Sequence, residues 1–123
     1  MWYQYDKLHR DNDLPAVITK ETKEWYQNGV RHRDGYLPAI VYENGYLKFF
    51  KNGKLHRDND LPAVKQVSGQ EEWWKDGLRH RDKGLPAVID PTNGNQWWMH
   101  GVIQKIGARA ASSSQLFHIR LKV

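Results

Sequence analysis

Cysteine is absent from this chain of 123 residues, and so is any long apolar run. The lack of thiols excludes disulfide bonds and thiolate metal ligands. It fits a reducing compartment, so we expect a cytoplasmic location, in a bacterium or in a host cell. The first residues, Met1 to Asp6, contain neither a basic nor an apolar segment, so no signal peptide is expected. No stretch is apolar enough to predict a membrane span.

Acidic side chains are absent after Asp90. All 14 lie at or before this residue, together with 15 of the 19 basic side chains. The remaining four basic residues are Lys105, Arg109, Arg120 and Lys122. The net charge of +5 therefore belongs mostly to the C-terminal segment, and the first 90 residues are nearly neutral.

Large rings supply much of the apolar content, since the chain has six Trp, six Tyr and three Phe at a mean hydropathy of −0.84. Flat rings of this kind suit a thin sheet covered by aromatic side chains better than a thick two-layer core.

A repeat of 23 to 24 residues organises the chain. Aromatic pairs begin at Trp2, Trp25, Phe49, Trp73 and Trp97. A histidine seven residues after each of the first four pairs opens a His-Arg-Asp triplet, and a Leu-Pro-Ala proline follows six residues later. The repeated residues are His9, His32, His56 and His80, Arg10, Arg33, Arg57 and Arg81, and Pro15, Pro38, Pro62 and Pro86. Agreement at this many positions in four copies predicts a tandem repeat architecture.

Turn signals within each unit predict strands. Asn-Gly or Asp-Gly dipeptides ending at Gly29, Gly53 and Gly77 follow the aromatic pairs and are typical of type I′ hairpins. Short strands are predicted after each proline, at 16–18, 39–42, 63–64 and 87–89, each followed by a second turn. No helix is predicted through residue 103, so we expect an all-β fold.

The pattern aromatic-aromatic-x-Asn/Asp-Gly-x-x-His resembles the MORN repeat and its bacterial and viral variants over residues 2–103. The MORN consensus continues His-Gly-x-Gly, whereas this chain has His-Arg-Asp-x-x-Leu-Pro-Ala, so the resemblance is to a divergent member. It implies an elongated, twisted antiparallel sheet of consecutive hairpins. It also implies non-enzymatic use in protein interaction and scaffolding, with lipid binding in some members and antitoxins among bacterial relatives.

The tail differs from the array, so we divide the chain at residue 103. Residues 1–103 are expected to hold four full units and one degenerate unit, and residues 104–123 a linker and a C-terminal strand. The segment 116–123 alternates apolar and basic residues, which favours a half-buried strand that caps the array. Pairing with a partner or with a second copy, giving a homodimer, is the alternative.

The sequence does not support a catalytic or metal-binding interpretation of the motifs, because the required partner residues are missing or too far apart. His-Arg-Asp lacks the other kinase motifs. Histidines of adjacent units lie about 10 Å apart in a sheet, too far to share one zinc ion. Glu71 and Glu72 face opposite sides of a strand, and Ser112 to Ser114 resemble a linker. We therefore predict no catalytic residue, no metal and no cofactor. Each His and Arg is expected to pack against a ring, with the Asp completing a turn or an ion pair.

A binding function remains, and a protein partner is favoured because Trp, Tyr and Arg are enriched at binding hot spots. A nucleic acid or an anionic membrane, bound by the basic tail and the aromatic rows, is the alternative. The predicted contact residues are Trp74, Trp98, Arg31, Arg79, Arg120 and Lys122. Size and the MORN-like resemblance suggest a phage or mobile-element inhibitor, or an antitoxin-like protein, that occludes a partner surface.

Overall fold

A computed structural model describes residues 1–107, and over this range the chain forms strands and no helix. The all-β prediction is confirmed. The strands are β1 (Tyr3–Gln4), β2 (Lys7–Leu8), β3 (Val17–Ile18), β4 (Thr22–Glu24), β5 (Tyr26–Gln27), β6 (Val30–Arg31), β7 (Ile40–Tyr42), β8 (Leu47–Lys48), β9 (Phe50–Lys51), β10 (Lys54–Leu55), β11 (Val64–Lys65), β12 (Glu71–Glu72), β13 (Trp74–Lys75), β14 (Leu78–Arg79), β15 (Val88–Ile89), β16 (Gln96–Met99) and β17 (Val102–Ile106).

Nine of these strands form one antiparallel sheet, in the order β17-β16-β15-β12-β11-β8-β7-β4-β3. Each repeat adds the strand after its Leu-Pro-Ala and the strand before the next aromatic pair. Glu24, for example, pairs with Val17 on one side and with Ile40 on the other. The sheet therefore grows by two strands per repeat, and its strands after the prolines lie where the sequence predicts them.

The aromatic hairpins lie outside this sheet, as separate two-stranded ladders β1-β2, β5-β6, β9-β10 and β13-β14. The structure differs in this detail from the single sheet of consecutive hairpins that the MORN-like resemblance implies. The chain leaves the large sheet at the first ring of each pair, which turns into the core. Trp25 shows why: its N–H donates to the Ala39 carbonyl at 2.8 Å, and its own carbonyl accepts the N–H of His32 at 3.1 Å, closing the hairpin.

Successive hairpins stack through one backbone hydrogen bond each. The turn glycine donates its N–H to the hairpin before it, as from Gly29 to Leu8 at 2.7 Å and from Gly53 to Arg31 at 2.9 Å. Asn28 and Gly29 have φ values of 52° and 79°, the positive pair that type I′ requires.

The core repeats with the chain. Each unit buries an Ala-Val or Ala-Ile pair, together with its first ring, its histidine or both. The buried rings are Trp25, Phe49 and Trp73, and the buried histidines are His9, His56 and His80. The buried pairs are Ala16 with Val17, Ala39 with Ile40, Ala63 with Val64 and Ala87 with Val88. No single unit holds enough of these to fold alone, so stacking between units stabilises the array.

The last unit ends in a longer hairpin, in which β16 pairs with β17 around a bulge between Trp97 and Trp98. The boundary expected between residues 103 and 104 falls inside β17. The predicted cap, with Arg120 and Lys122, lies outside the described residues.

Candidate binding face

Each His-Arg-Asp triplet leads into a tight turn with two consecutive left-handed residues. In the first repeat these are Asn12 and Asp13, with φ values of 62° and 54°. We call the surface formed by residues 11–14, 34–37, 58–61 and 82–85 the turn face.

Both ring nitrogens of each triplet histidine are engaged. Nε2 lies 2.7 Å from a carboxylate oxygen of the triplet aspartate in all four copies. Nδ1 accepts a backbone N–H from the hairpin turn of the next repeat, as from Asp76 to His56 at 3.0 Å. Because that N–H can only donate, the histidine carries its proton on Nε2. The histidines therefore connect each repeat to the next.

The triplet aspartates accept the hydrogen bond from Nε2 of their histidines. The hydrogen bond from His56 holds the pKa of Asp58 below its ordinary value, and the bond from His80 does the same for the pKa of Asp82. Within residues 1–107 no group of three or more potential ligands is placed to hold a metal ion. Within each triplet, the imidazole and carboxylate groups that general acid–base catalysis would use are hydrogen-bonded to each other.

The triplet arginines lie over the first ring of their own repeat. The guanidinium carbons of Arg10, Arg33, Arg57 and Arg81 lie 3.6, 3.7, 3.7 and 3.8 Å from the ring centroids. Nη1 of each donates to the carbonyl of the following Leu-Pro-Ala proline at 3.1 to 3.2 Å. These contacts are of the cation–π type and fix the turn against the core.

The predicted contact residues of the hairpins lie in a separate stack. Arg79 sits between the rings of Trp74 and Trp98, 5.0 and 4.9 Å from their centroids, and its Nη2 binds Glu72 at 2.8 Å. The structure thus brings these three predicted residues together, but each is half-buried in the stack.

Arg31 occupies the equivalent place two repeats earlier. It lies between Tyr26 and Phe50, at 5.3 and 5.2 Å, and binds Glu24 at 2.8 Å. Leu8 and Leu55 occupy this position in the first and third repeats, so the arginine stack alternates along the array.

Arginines and aspartates of neighbouring repeats form clamps across the turn face. Arg33 binds Asp13 through Nε and Nη2 at 2.8 and 3.2 Å, and Arg81 binds Asp60 likewise at 2.9 and 3.3 Å. These bonds hold the pKa values of both aspartates below the ordinary range.

Over residues 1–107, the junction between the second and third repeats has no such clamp, because Tyr36 stands where the other two junctions have Asp13 and Asp60. A groove of about 290 Å³ lies there, beside Arg57, and a groove of about 570 Å³ lies at the clamped junction between the third and fourth repeats. Our sequence prediction treated Arg57 as structural and overlooked Tyr36. The available signal was the change at the fourth residue after each histidine.

Leucines form an exposed row along the turn face. Each precedes the proline of its repeat and keeps between 39% and 43% of its surface accessible; the four are Leu14, Leu37, Leu61 and Leu85. Tyr36, next to this row, is 70% exposed.

Within residues 1–107 no helix has the length and apolar character needed to cross a bilayer. In comparisons with known proteins, no family model, no curated protein and no solved structure matches this chain.

Proposed function

We propose that this protein is a non-enzymatic binding protein that recognises another protein through its turn face and acts by occluding part of that partner. The row of exposed leucines is the observation that carries the proposal. Apolar side chains repeated at about 10 Å along one surface, beside an exposed tyrosine, are suited to packing against a second protein.

The engagement of the triplets supports a non-enzymatic role. Each histidine uses both nitrogens within the array, and each triplet aspartate is bonded to its histidine. Removing such a group for proton transfer would break a contact between repeats, so these side chains serve the scaffold.

The paired charges of the array favour a protein over a polyanion. Arg31 and Arg79 are bound to glutamates, and Arg33 and Arg81 to aspartates. A nucleic acid or an anionic membrane would find these four arginines already neutralised.

A reducing cytoplasm suits a chain without cysteine, and we propose that binding takes place there. The divergent MORN-like repeat and the small size suit an inhibitor of phage or mobile-element origin, or an antitoxin-like protein. Such proteins need a rigid surface and no catalytic group.

Affinity capture from the native host tests the proposal. We expect the wild-type chain to retain a specific protein, and the double variant Leu37→Gln, Leu61→Gln to lose it. Val67→Gln is the matched control, because Val67 is 75% exposed in the turn after β11, away from the turn face. Equal capture by all three proteins would refute the turn face. Salt-sensitive binding of oligonucleotides or of anionic vesicles, without a protein, would refute the protein partner.

A further inference from the structure

Arg57 is the one triplet arginine between two described repeats that lacks a carboxylate. It keeps the stacking on Phe49 and the bond to the Pro62 carbonyl that its counterparts have. Its Nε is buried and has no hydrogen-bond partner among the described residues. Residues 108–123 contain no Asp or Glu side chain. Among residues 1–107, no carboxylate takes the place that Asp13 and Asp60 occupy at the two neighbouring junctions.

Buried Nε atoms also lack partners in Arg31 and Arg79, but these two cases differ. Each of those guanidinium groups reaches a glutamate through Nη2 at 2.8 Å. Within the described part of the chain, Arg57 has no such bond to a glutamate. Burial lowers the pKa of Arg57, and the nearby Glu71 opposes the shift, so the group stays charged at neutral pH.

The same junction lacks a second bond. The indole N–H of Trp25 donates to the Asp13 carbonyl, and that of Trp73 to the Asp60 carbonyl, both at 3.1 Å. Phe49 occupies the equivalent position and has no N–H to give to the Tyr36 carbonyl. The groove thus offers a guanidinium donor and a backbone acceptor that the other two junctions use internally.

We propose that the groove between the second and third repeats is a carboxylate-binding site, in which Arg57 receives the Asp or Glu side chain of a partner protein. This inference rests on the proposed function and names the chemistry of one contact within it.

A carboxylate fits better than a phosphate. The two neighbouring junctions show that this arrangement of ring, arginine and turn holds a carboxylate through Nε and Nη2 at 2.8 to 3.3 Å. Asp34 and Asp58 line the same groove, and their charges oppose a dianion more than a monoanion.

A side chain of a protein fits better than a small free acid. One ion pair at a partly exposed site binds weakly, because solvent screens it. Tyr36 and Leu37, both exposed at the rim of the groove, supply the apolar contact that a peptide would cover and a small acid would not.

Two substitutions alter the site in opposite directions. Tyr36→Asp restores the residue found at Asp13 and Asp60, at a φ of 61° that aspartate tolerates, and should fill the site from within. Tyr36→Asn is its uncharged control. Asp60→Asn removes a clamp and should create a second site of the same kind at Arg81.

The probes are a capped Leu-Asp-Leu tripeptide, its Leu-Asn-Leu counterpart, acetate and inorganic phosphate, titrated at constant ionic strength. NMR signals of the arginine Nε–Hε groups report binding at each site. In the wild-type protein we expect the Asp peptide to shift Arg57 saturably, at least about tenfold more tightly than acetate. The shift should vanish in Tyr36→Asp, persist in Tyr36→Asn, and appear also at Arg81 in Asp60→Asn.

Several results would overturn the inference. Binding of the Asn peptide as tight as that of the Asp peptide would show that the site does not recognise a carboxylate. An undiminished shift in Tyr36→Asp would show the same. Acetate binding as tightly as the Asp peptide would make the ligand a free acid, and tighter phosphate binding would make it a phosphate. An unchanged backbone spectrum of each variant establishes that it is folded.

The partner capture separates this inference from the proposed function. If Tyr36→Asp retains the captured partner at wild-type affinity while the double leucine variant loses it, the turn face is supported as the binding surface and the carboxylate site is refuted. If the leucine variant retains the partner, the proposed function itself fails.

Discussion

At the scale of the residue, the triplet histidine is the most heavily used side chain of the repeat. It donates to an aspartate of its own turn and accepts from the next hairpin, so it ties the local turn to the stacking of units. His56 and His32 make the same two bonds, but the His56 side chain is 9% exposed and that of His32 is 22% exposed.

Replacing these histidines by alanine should therefore have unequal costs. We expect His56→Ala to lower the free energy of unfolding by about 2–3 kcal/mol, since it leaves a buried N–H without a partner and opens a cavity. His32→Ala should cost about 1 kcal/mol less, because water reaches the freed N–H. Urea unfolding at pH 7 measures both, and equal costs would contradict the buried role of His56.

The clamp between Asp60 and Arg81 should make part of the stability depend on acid. The hydrogen bond from Arg81 lowers the pKa of Asp60 in the folded protein below the unfolded value of 3.8. The contribution of the clamp is then fully present above pH 3.8 and is lost as the pH falls through the lowered pKa.

Comparison of wild type with Asp60→Asn isolates this effect from other titrating groups. The wild type should be the more stable protein at pH 5 to 7, and the difference should shrink below pH 3.8. Thermal unfolding at a series of pH values measures it; a difference that grows on acidification would contradict the clamp.

At the scale of the element, the Asn-Gly turns determine how closely the hairpins stack. Gly53 has a φ of 82°, and a Cβ built there would lie 2.9 Å from Cγ1 of Val30 in the preceding hairpin. Gly35 has a similar φ of 79°, and nothing lies within 4 Å of its Cβ position.

These two glycines form a matched pair. Alanine at either position meets the left-handed backbone cost of about 1–2 kcal/mol. Gly53→Ala should cost about 1–2 kcal/mol more, because it also forces the hairpins apart. The difference in urea midpoints measures the contact, and equal midpoints would show that the hairpins do not touch there.

The elements that depend on local signals were predictable from the sequence. Positive-φ turns need glycine, asparagine or aspartate, and so the Asn28-Gly29 type of turn could be located. The strands after the prolines followed from their β-branched residues. The separation of the hairpins from the large sheet was not predictable, because it depends on which ring of each pair turns into the core. Two adjacent aromatic residues carry no local signal for that choice.

At the scale of the whole molecule, the aspartate–arginine clamps occur at every second junction between repeats and so divide the array into two pairs of repeats. The clamps join the first repeat to the second and the third to the fourth, so among the described residues the junction in the middle is the one without this ion pair. The bond across it, from the Asn52 amide to Nδ1 of His32, is also the longest of its kind at 3.2 Å.

Hydrogen exchange should locate this weaker junction. We expect the protection factor of the Asn52 amide to be about fivefold lower than that of Asp76, the size expected for one partly exposed ion pair. Tyr36→Asp should reduce the difference. Equal protection in the wild type, or greater protection at Asn52, would contradict the division.

The candidate site was only partly predictable. The repeat itself directs attention to the shared residues, and the structure uses these as scaffold. Arg31, Arg79, Trp74 and Trp98 were predicted as contacts from their residue types alone, and the structure places them in half-buried stacks. The open position at Arg57 depends on a contact between residues 21 positions apart, and only the geometry of the neighbouring clamps reveals it.

The central claim is that the repeated triplets stabilise the array, whereas Tyr36, in place of an aspartate, leaves the binding position at Arg57 without an internal carboxylate. The rate at which the arginine Hε protons exchange with water tests this claim most directly. In the unliganded wild type, the Hε of Arg33 and of Arg81 should exchange slowly, since each is bound to an aspartate, whereas that of Arg57 should exchange faster. Tyr36→Asp should slow Arg57 to the rate of the other two. An Hε of Arg57 that exchanges in the wild type as slowly as those of Arg33 and Arg81, and no faster than it does in Tyr36→Asp, would contradict the account.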